Sequence, residues 1–350
     1  MAPHLTTIHY LFPSVRVLTF LSLASLSASL ENGDDFVRWV SWNVENYKQQ
    51  SAATFRPSFV FGEPGVVGPR AIDLKLSKAE AAAVREKIVI PKSMPFITLL
   101  GDPASPPIIS GNDTAAKMGD NGRALKTFRS PTVAVNSNFF LAAYIQFENT
   151  APVPDVGQRG GQAVAVRVSG DKAAFYNCSF YGEQDTLYDH KGLHYFKNCF
   201  IQGSVDFIFG YGRSLYENCY LNSVAKKVAA LTAQKRNMAS MESGFSFVRS
   251  TITGSGLVYL GRAWGDHSRV VFSYTFMDKV VIPQGWNSWR IHRPEARSGV
   301  YYGEFQCGGP GANWTGRVHW ARLLTHEEAQ PFLGTYYVNG DSWLLGPPST

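Results

Sequence analysis

Residues Phe175 to Tyr220 read FYNCSFYGEQDTLYDHKGLHYFKNCFIQGSVDFIFGYGRSLYENCY. An aromatic-x-Asn-Cys unit with a further aromatic close behind it occurs three times, centred on Cys178, Cys199 and Cys219, at spacings of 21 and 20 residues. A repeat this short cannot enclose its own core. It suits one turn of a solenoid, whose apolar face is buried only by stacking on its neighbours. The same period relates two acids: Asp185 lies seven residues after Cys178, and Asp206 seven after Cys199. Equivalent positions on adjacent coils are ~4.8 Å apart, so the two carboxyl groups are expected within roughly 5 Å. Two acids that close do not both ionise easily, and one is pushed to a higher pKa. The pair can then act as an acid and a nucleophile or base together.

Outward from this stretch the pattern stays β. From Ile88 onward, short apolar runs such as IVIP, AVAVRV, LVYLGRAW and RVVFSYTFM are bounded by Gly, Asn, Asp and Pro. Near-continuous apolar runs suit parallel strands buried in an interior. The L-x-x-L-x-L spacing of leucine-rich repeats is absent, and the tight hairpin dipeptides of a sandwich are scarce. The expected fold is all-β, a right-handed parallel β-helix with short flanking helices. Helices are expected over 34–50, over 76–87 by propensity, and over 324–333, where Thr325 and the acids behind it form a cap. The three repeat cysteines read as a ladder of small buried thiols rather than bridges. With Cys307 they are the only four, and none forms a CxxC. His190 and His194 lie four apart with Gly192 between them and no helix to carry them, which argues against a metal site.

The 350 residues carry a net charge of +6. That bias favours a polyanionic partner, but the basic residues are scattered with no Lys/Arg block, so an acidic polysaccharide fits and nucleic acid is not expected. The apolar run Val17–Leu30 is short for a membrane span and ends in small residues, as a signal peptide does. A leader over 1–28, a segment with short helices over 29–85 and a β-helix over 86–350 are therefore expected, in a secreted, extracellular protein with no membrane span. Sequons stand at Asn112, Asn177 and Asn313; Asn177 is expected inside a strand and inaccessible.

Chemistry concentrates at a few polar breaks. Gln184 is next to Asp185, and Gln162 lies about one coil upstream; two carboxamides beside two acids supply donors for a developing oxyanion. Asp206 sits among Val205, Phe207, Ile208 and Phe209 and needs a partner. Arg262, in LGRAW, is the candidate, and Trp264 offers a flat face for a sugar ring. Each residue alone reads as a turn or core polar; matched positions for two acids tip the balance towards a site. Residue types alone leave a retaining glycosidase and an esterase both open.

The motifs GQAVAVRV at 161–168, GEQDTLYDH at 182–190, VDFIFG at 205–210 and LGRAW at 260–264 resemble those of plant pectinesterases, from about Glu86 to the C-terminus. The resemblance implies hydrolysis of galacturonate methyl esters in cell-wall pectin, with no metal or other cofactor, by a monomer for which a proteinaceous inhibitor is a candidate partner. It makes Asp206 the nucleophile, Asp185 the general acid and then base, and Gln184 an oxyanion donor. Gln162 lines the site, Arg262 holds Asp206, Trp264 packs on the sugar, and Thr127 in KTFRSPTV contacts substrate. A chain-cleaving enzyme on the same fold and an inactive pectin-binding wall protein are the alternatives. The chain departs from the pattern at Ala263, where the family has Pro. It departs again at 82–86, AAVRE, where only Glu86 of the family's GxYxE remains. The opening strands are not recognisable apart from a remnant at Ala71-Ile72-Asp73, so a coil is expected to be missing or rebuilt over 51–85. No inhibitor-like pro-region is expected.

Overall fold

The computed structural model describes residues 87–153 and 159–344, together with the backbone of three short strands, Leu18–Thr19, Arg70–Asp73 and Val84–Arg85. Apart from those strands, the expected leader, the helix over 34–50, the helix over 76–87 and Glu86 lie outside the described residues. Val84–Arg85, within the stretch expected to be helical, is a strand paired in parallel with Ile108–Gly111. An available strand edge outweighs a modest helical propensity here.

Each coil contributes three strands to three walls. Around the repeat stretch these are Ala173–Tyr176, Ser179–Tyr181 and Leu187–Asp189, then Leu193–Lys197, Phe200–Gly203 and Ile208–Gly210. Strands pair in parallel with the equivalents one coil before and after, as in Phe175↔Phe196, Phe180↔Ile201 and Leu187↔Ile208. The coils stack into a parallel β-helix. The long strand Tyr220–Gln234 passes from the second wall to the third, pairing first with Phe200–Gly203 and then with Ile208–Gly210. At the N-terminal end Arg70–Asp73 pairs in parallel with Ile97–Leu100, so a rung stands where the sequence suggested a gap. Leu18–Thr19 adds an antiparallel pairing outside it.

The repeat is explained by what each position does inside the coil. Phe175, Phe196, Tyr216, Phe247 and Phe272 stack on one another through the interior, with successive ring centroids 4.9, 4.6, 4.5 and 4.4 Å apart. All five are fully buried. Two residues on, Asn177, Asn198 and Asn218 take the left-handed conformation, with φ of 51°, 55° and 53°. This is the turn from first wall to second, and Asn tolerates it better than most residues. Asn218 donates its amide to the Asn198 side-chain oxygen, 2.8 Å away. Asn177 is thus exposed at a turn and not buried in a strand as expected, because the alternation stops where the chain turns. The next residue, Cys178, Cys199 or Cys219, points inward, buried and free of disulfides. Cys307 holds the same position further along: it follows the left-handed Gln306, and its thiol donates to Phe272 O as Cys219 does to Phe196 O. Asp189 accepts from the Tyr216 hydroxyl at 2.6 Å and pairs with His194 Nδ1 at 2.5 Å, while His194 Nε2 reaches Gly170 O at 2.9 Å. Both His194 nitrogens thereby serve a buried structural network.

The helix at the C-terminal end is His326–Ala329, capped by a reciprocal Thr325–Glu328 box as the sequence indicated. It packs on the side of the first wall, where Ala329, Phe332 and Tyr337 meet Ala174, Tyr195, Leu215 and Val271. Ser246 of that wall donates to Phe332 O at 2.7 Å. The third wall remains uncovered by this segment and carries the site.

Candidate active site

Asp185 and Asp206 sit at the entry to consecutive third-wall strands. The Leu187↔Ile208 register, extended back two residues, sets one acid opposite the other. Asp185 N donates to Val205 O at 3.0 Å, and Asp206 N to Ala230 O at 2.8 Å. Both take left-handed backbone, φ 68° and 49°, a conformation that Asp tolerates but that still costs energy and marks functional sites. The two residues are 8% and 5% exposed.

Arg262 ends the strand Thr251–Arg262. Its guanidinium forks onto Asp206: Nε donates to Oδ1 at 2.7 Å and Nη2 to Oδ2. The planar cation lies 3.6 Å from the Trp289 ring, a stacking geometry available to Arg and not to Lys. Burial pushes the Asp185 carboxyl well above the usual carboxylate range, and the Asp206 charge adds to the push. Burial raises Asp206 too, but hydrogen bonding and charge from Arg262 act against it. The pair is therefore biased: Asp206 ionises first, and Asp185 keeps the proton.

Ala263 is buried, and its N–H donates to Asn287 O at 3.1 Å. A proline at that position could not make this bond. Trp264 stacks under Lys235, whose ammonium lies 4.2 Å from the ring centroid, and packs towards Phe209 at 6.1 Å. Gln184 and Gln162 are half-buried on the loops leading into the third wall; Ala163 N donates to Gln184 O at 3.0 Å, tying the two loops together. Thr127 is half-buried on the short helix Lys126–Arg129. Ser130 Oγ donates to Thr127 O and accepts from Val164 N, which seats that helix beside the coil upstream of Asp185. The structure thus gathers Asp185, Asp206 and Arg262 by direct contact or register, and Trp264 and the two glutamines on the same wall. Thr127 precedes the third-wall strand Val133–Val135, two rungs upstream of Leu187–Asp189.

Several residues of the wall were not singled out from the sequence. Trp289 backs Arg262, and Tyr188 stacks on Phe209 at 4.3 Å. Phe128 lies edge-on to Tyr188 at 6.4 Å and to His190 at 5.3 Å. The strand period offered a signal for Tyr188 and Phe209, since both alternate with core residues of the same strands. Trp289 lies in a loop with no period, which left only its tryptophan-rich composition as a sign.

The chain is similar to known proteins over most of its length. The pectinesterase family model matches residues 76–341. The chain is 46% identical over 262 residues to Pectinesterase QRT1 of Arabidopsis thaliana, covering 74% of this chain and 68% of that one. It is 47% identical over 262 residues to Putative pectinesterase 14 of the same plant, covering 74% and 76%. Among solved structures, the pectin methylesterase from carrot matches with TM-score 0.70 and 32% identity over 84% of this chain and 89% of that one. Pectin methylesterase PemA from Erwinia chrysanthemi, at 23% identity, shares the fold with TM-score 0.66 over 94% and 97%. Two desolvated, unequal acids on neighbouring rungs, carried on this coil and with these relatives, lead to one assignment: the chain belongs to the pectinesterase family of carboxylic ester hydrolases.

Proposed function

We propose that this protein hydrolyses the methyl esters of pectin, releasing methanol and leaving galacturonate carboxylates in the plant cell wall. The observation that carries the reading is the charge asymmetry of the pair, with the Arg262 fork on Asp206 and Asp185, buried without that fork, one rung away. Asp206 attacks the ester carbonyl carbon, and the carbonyl electron pair moves onto oxygen. The side-chain amides of Gln184 and Gln162 donate to that oxyanion. As the tetrahedral species collapses, the C–O bond to the methoxy group breaks and Asp185 gives up its proton to it, so methanol leaves. Asp185, now ionised, takes a proton from water; the water oxygen attacks the acyl-enzyme, Asp206 departs as carboxylate and Asp185 is again protonated. Trp264 supports a sugar ring. The action is proposed to be extracellular, by a monomer. Among the described residues no helix is long and apolar enough to cross a membrane.

The test is methanol release from highly methylated pectin by the purified chain, together with a search for new reducing ends or unsaturated products. Methanol without chain cleavage is expected; chain cleavage without methanol, or binding with no turnover, overturns the reading. A second expectation concerns the fork. Arg262→Lys keeps the charge but loses the bidentate geometry and the stack on Trp289, so kcat/KM should fall by about tenfold to a hundredfold. With its counterion weakened, Asp206 should ionise at higher pH, moving the acid limb of the rate profile upward. An unmoved acid limb would refute the role given to Arg262.

A further inference from the structure

Trp286–Asn287 is the rung after Arg262 on the third wall, paired in parallel with Gly261 and Arg262. Its first residue is fixed from inside the coil. Trp286 is buried, and its Nε1 donates to Glu304 Oε1 at 3.0 Å. Glu304 also accepts the fork of the buried Arg317, from Nε at 2.7 Å and Nη2 at 2.9 Å. Arg317 donates onward to Pro283 O at 3.0 Å and to Gly311 O at 2.7 Å. Opening such a pair would strand a charge in the core, so it stays closed. The strand therefore enters the wall from a rigid anchor.

Beyond Asn287 the chain leaves the wall, and there Trp289 has φ 56°. A bulky residue in the left-handed region is an outlier that persists only where its surroundings hold it. The side chain of Asn287 supplies the hold: its Oδ1 accepts from Trp289 N at 2.7 Å and closes a turn two residues on. The Asn287 backbone is committed separately, since its carbonyl accepts from Ala263 N. This turn sets the indole against the site. The ring centroid lies 3.6 Å from the Arg262 guanidinium, and the ring packs, like Trp264, on the cluster of Tyr188 and Phe209. The Arg262 side chain is still 30% exposed. Without the indole one face of the planar cation would be open to water, and the long side chain would regain freedom to leave Asp206.

We infer that Asn287 is a positioning residue for the reaction: its carboxamide pins Trp289 on the Arg262 guanidinium, and the pinned guanidinium aims the Asp206 carboxylate at the ester carbonyl. The inference rests on the pectin reading and adds to it a residue that acts only through its neighbours. Loss of the carboxamide has a signature. The fork on Asp206 loosens, the counterion weakens, and Asp206 ionises at higher pH. The other titratable groups that feel Asp206 are Asp185 and Tyr302. Burial raises the Tyr302 hydroxyl, which stays protonated across the acid limb, and Asp185 ionises after Asp206. A shift of that limb on substitution at position 287 therefore reports the fork.

The experiment follows methanol release against pH for the wild-type chain, Asn287→Ala and Asn287→Ser. Asn287→Ala should lower kcat/KM by roughly threefold to tenfold, the worth of one hydrogen bond, and move the acid limb to higher pH. Asn287→Ser keeps a weaker acceptor for the same turn and should fall between the other two in both readouts. It also serves if the alanine variant does not fold. Wild-type values in Asn287→Ala overturn the assignment. So does a slower rate with an unmoved acid limb, which is what a merely structural residue would give. Absence of methanol release by the wild-type chain instead sinks the pectin reading and leaves melting to decide on Asn287. Asn287→Ala, Arg262→Gln and the double variant are melted under one condition. Arg262→Gln leaves the indole no guanidinium to hold, so the shift of the double variant should be smaller than the sum of the single shifts. Additive shifts refute the clamp.

Discussion

Asp206→Asn should lower methanol release by about four orders of magnitude or more, the scale seen when a covalent nucleophile is removed from a machinery that acts as a unit. Asn has nearly the shape of Asp and can still accept from Arg262, so the coil should survive. The amide cannot attack the ester as a carboxylate does. The backbone bond from residue 206 to Ala230 O and the Leu187↔Ile208 register do not involve the carboxyl group. Circular dichroism and a melting curve close to wild type, together with lost turnover, are the expected pair of results. Substantial turnover by the folded variant would remove Asp206 from the nucleophile's role.

Asp185→Asn carries the second large effect, and it splits activity from stability. Turnover should fall by about a hundredfold to ten-thousandfold, the range for loss of a general acid and base. Stability should move the other way. Burial and the neighbouring Asp206 raise the Asp185 pKa in the folded protein. Above the ordinary carboxylate range the unfolded chain has lost this proton while the folded chain retains it. The raised value therefore costs stability as pH climbs from the unfolded pKa to the folded one. A neutral Asn escapes that cost. The variant should melt above wild type near neutral pH, with the difference shrinking on acidification towards the usual carboxylate pKa. A lower melting temperature for the variant at all pH values would contradict the desolvation argument. The same shifts shape the wild-type rate profile: the rate rises as Asp206 ionises and falls as Asp185 loses its proton, with the alkaline limb displaced well above ordinary carboxylates. Because the two acids interact, both limbs belong to the pair rather than to single residues.

The altered N-terminal segment raised the prospect of a damaged coil, yet Arg70–Asp73 still pairs in parallel with Ile97–Leu100 and covers that edge. Backbone pairing needs a strand of the right length more than it needs particular side chains, so motif loss there did not mean loss of the rung. Asn177 shows the reverse case, where a strand-like local pattern hid a left-handed, exposed turn.

The coil period was readable from residue order alone, because a solenoid brings residues about one repeat apart into contact and so writes its packing into the spacing of Phe175, Asn177 and Cys178 with their later copies. The rung relation of Asp185 to Asp206 followed from the same period. What joined Arg262 to Asp206 and set Trp289 behind it was decided in three dimensions. Those contacts link coils of unequal length and a loop with no period, so their positions depend on how the chain closes around the core and leave no regular interval in the sequence.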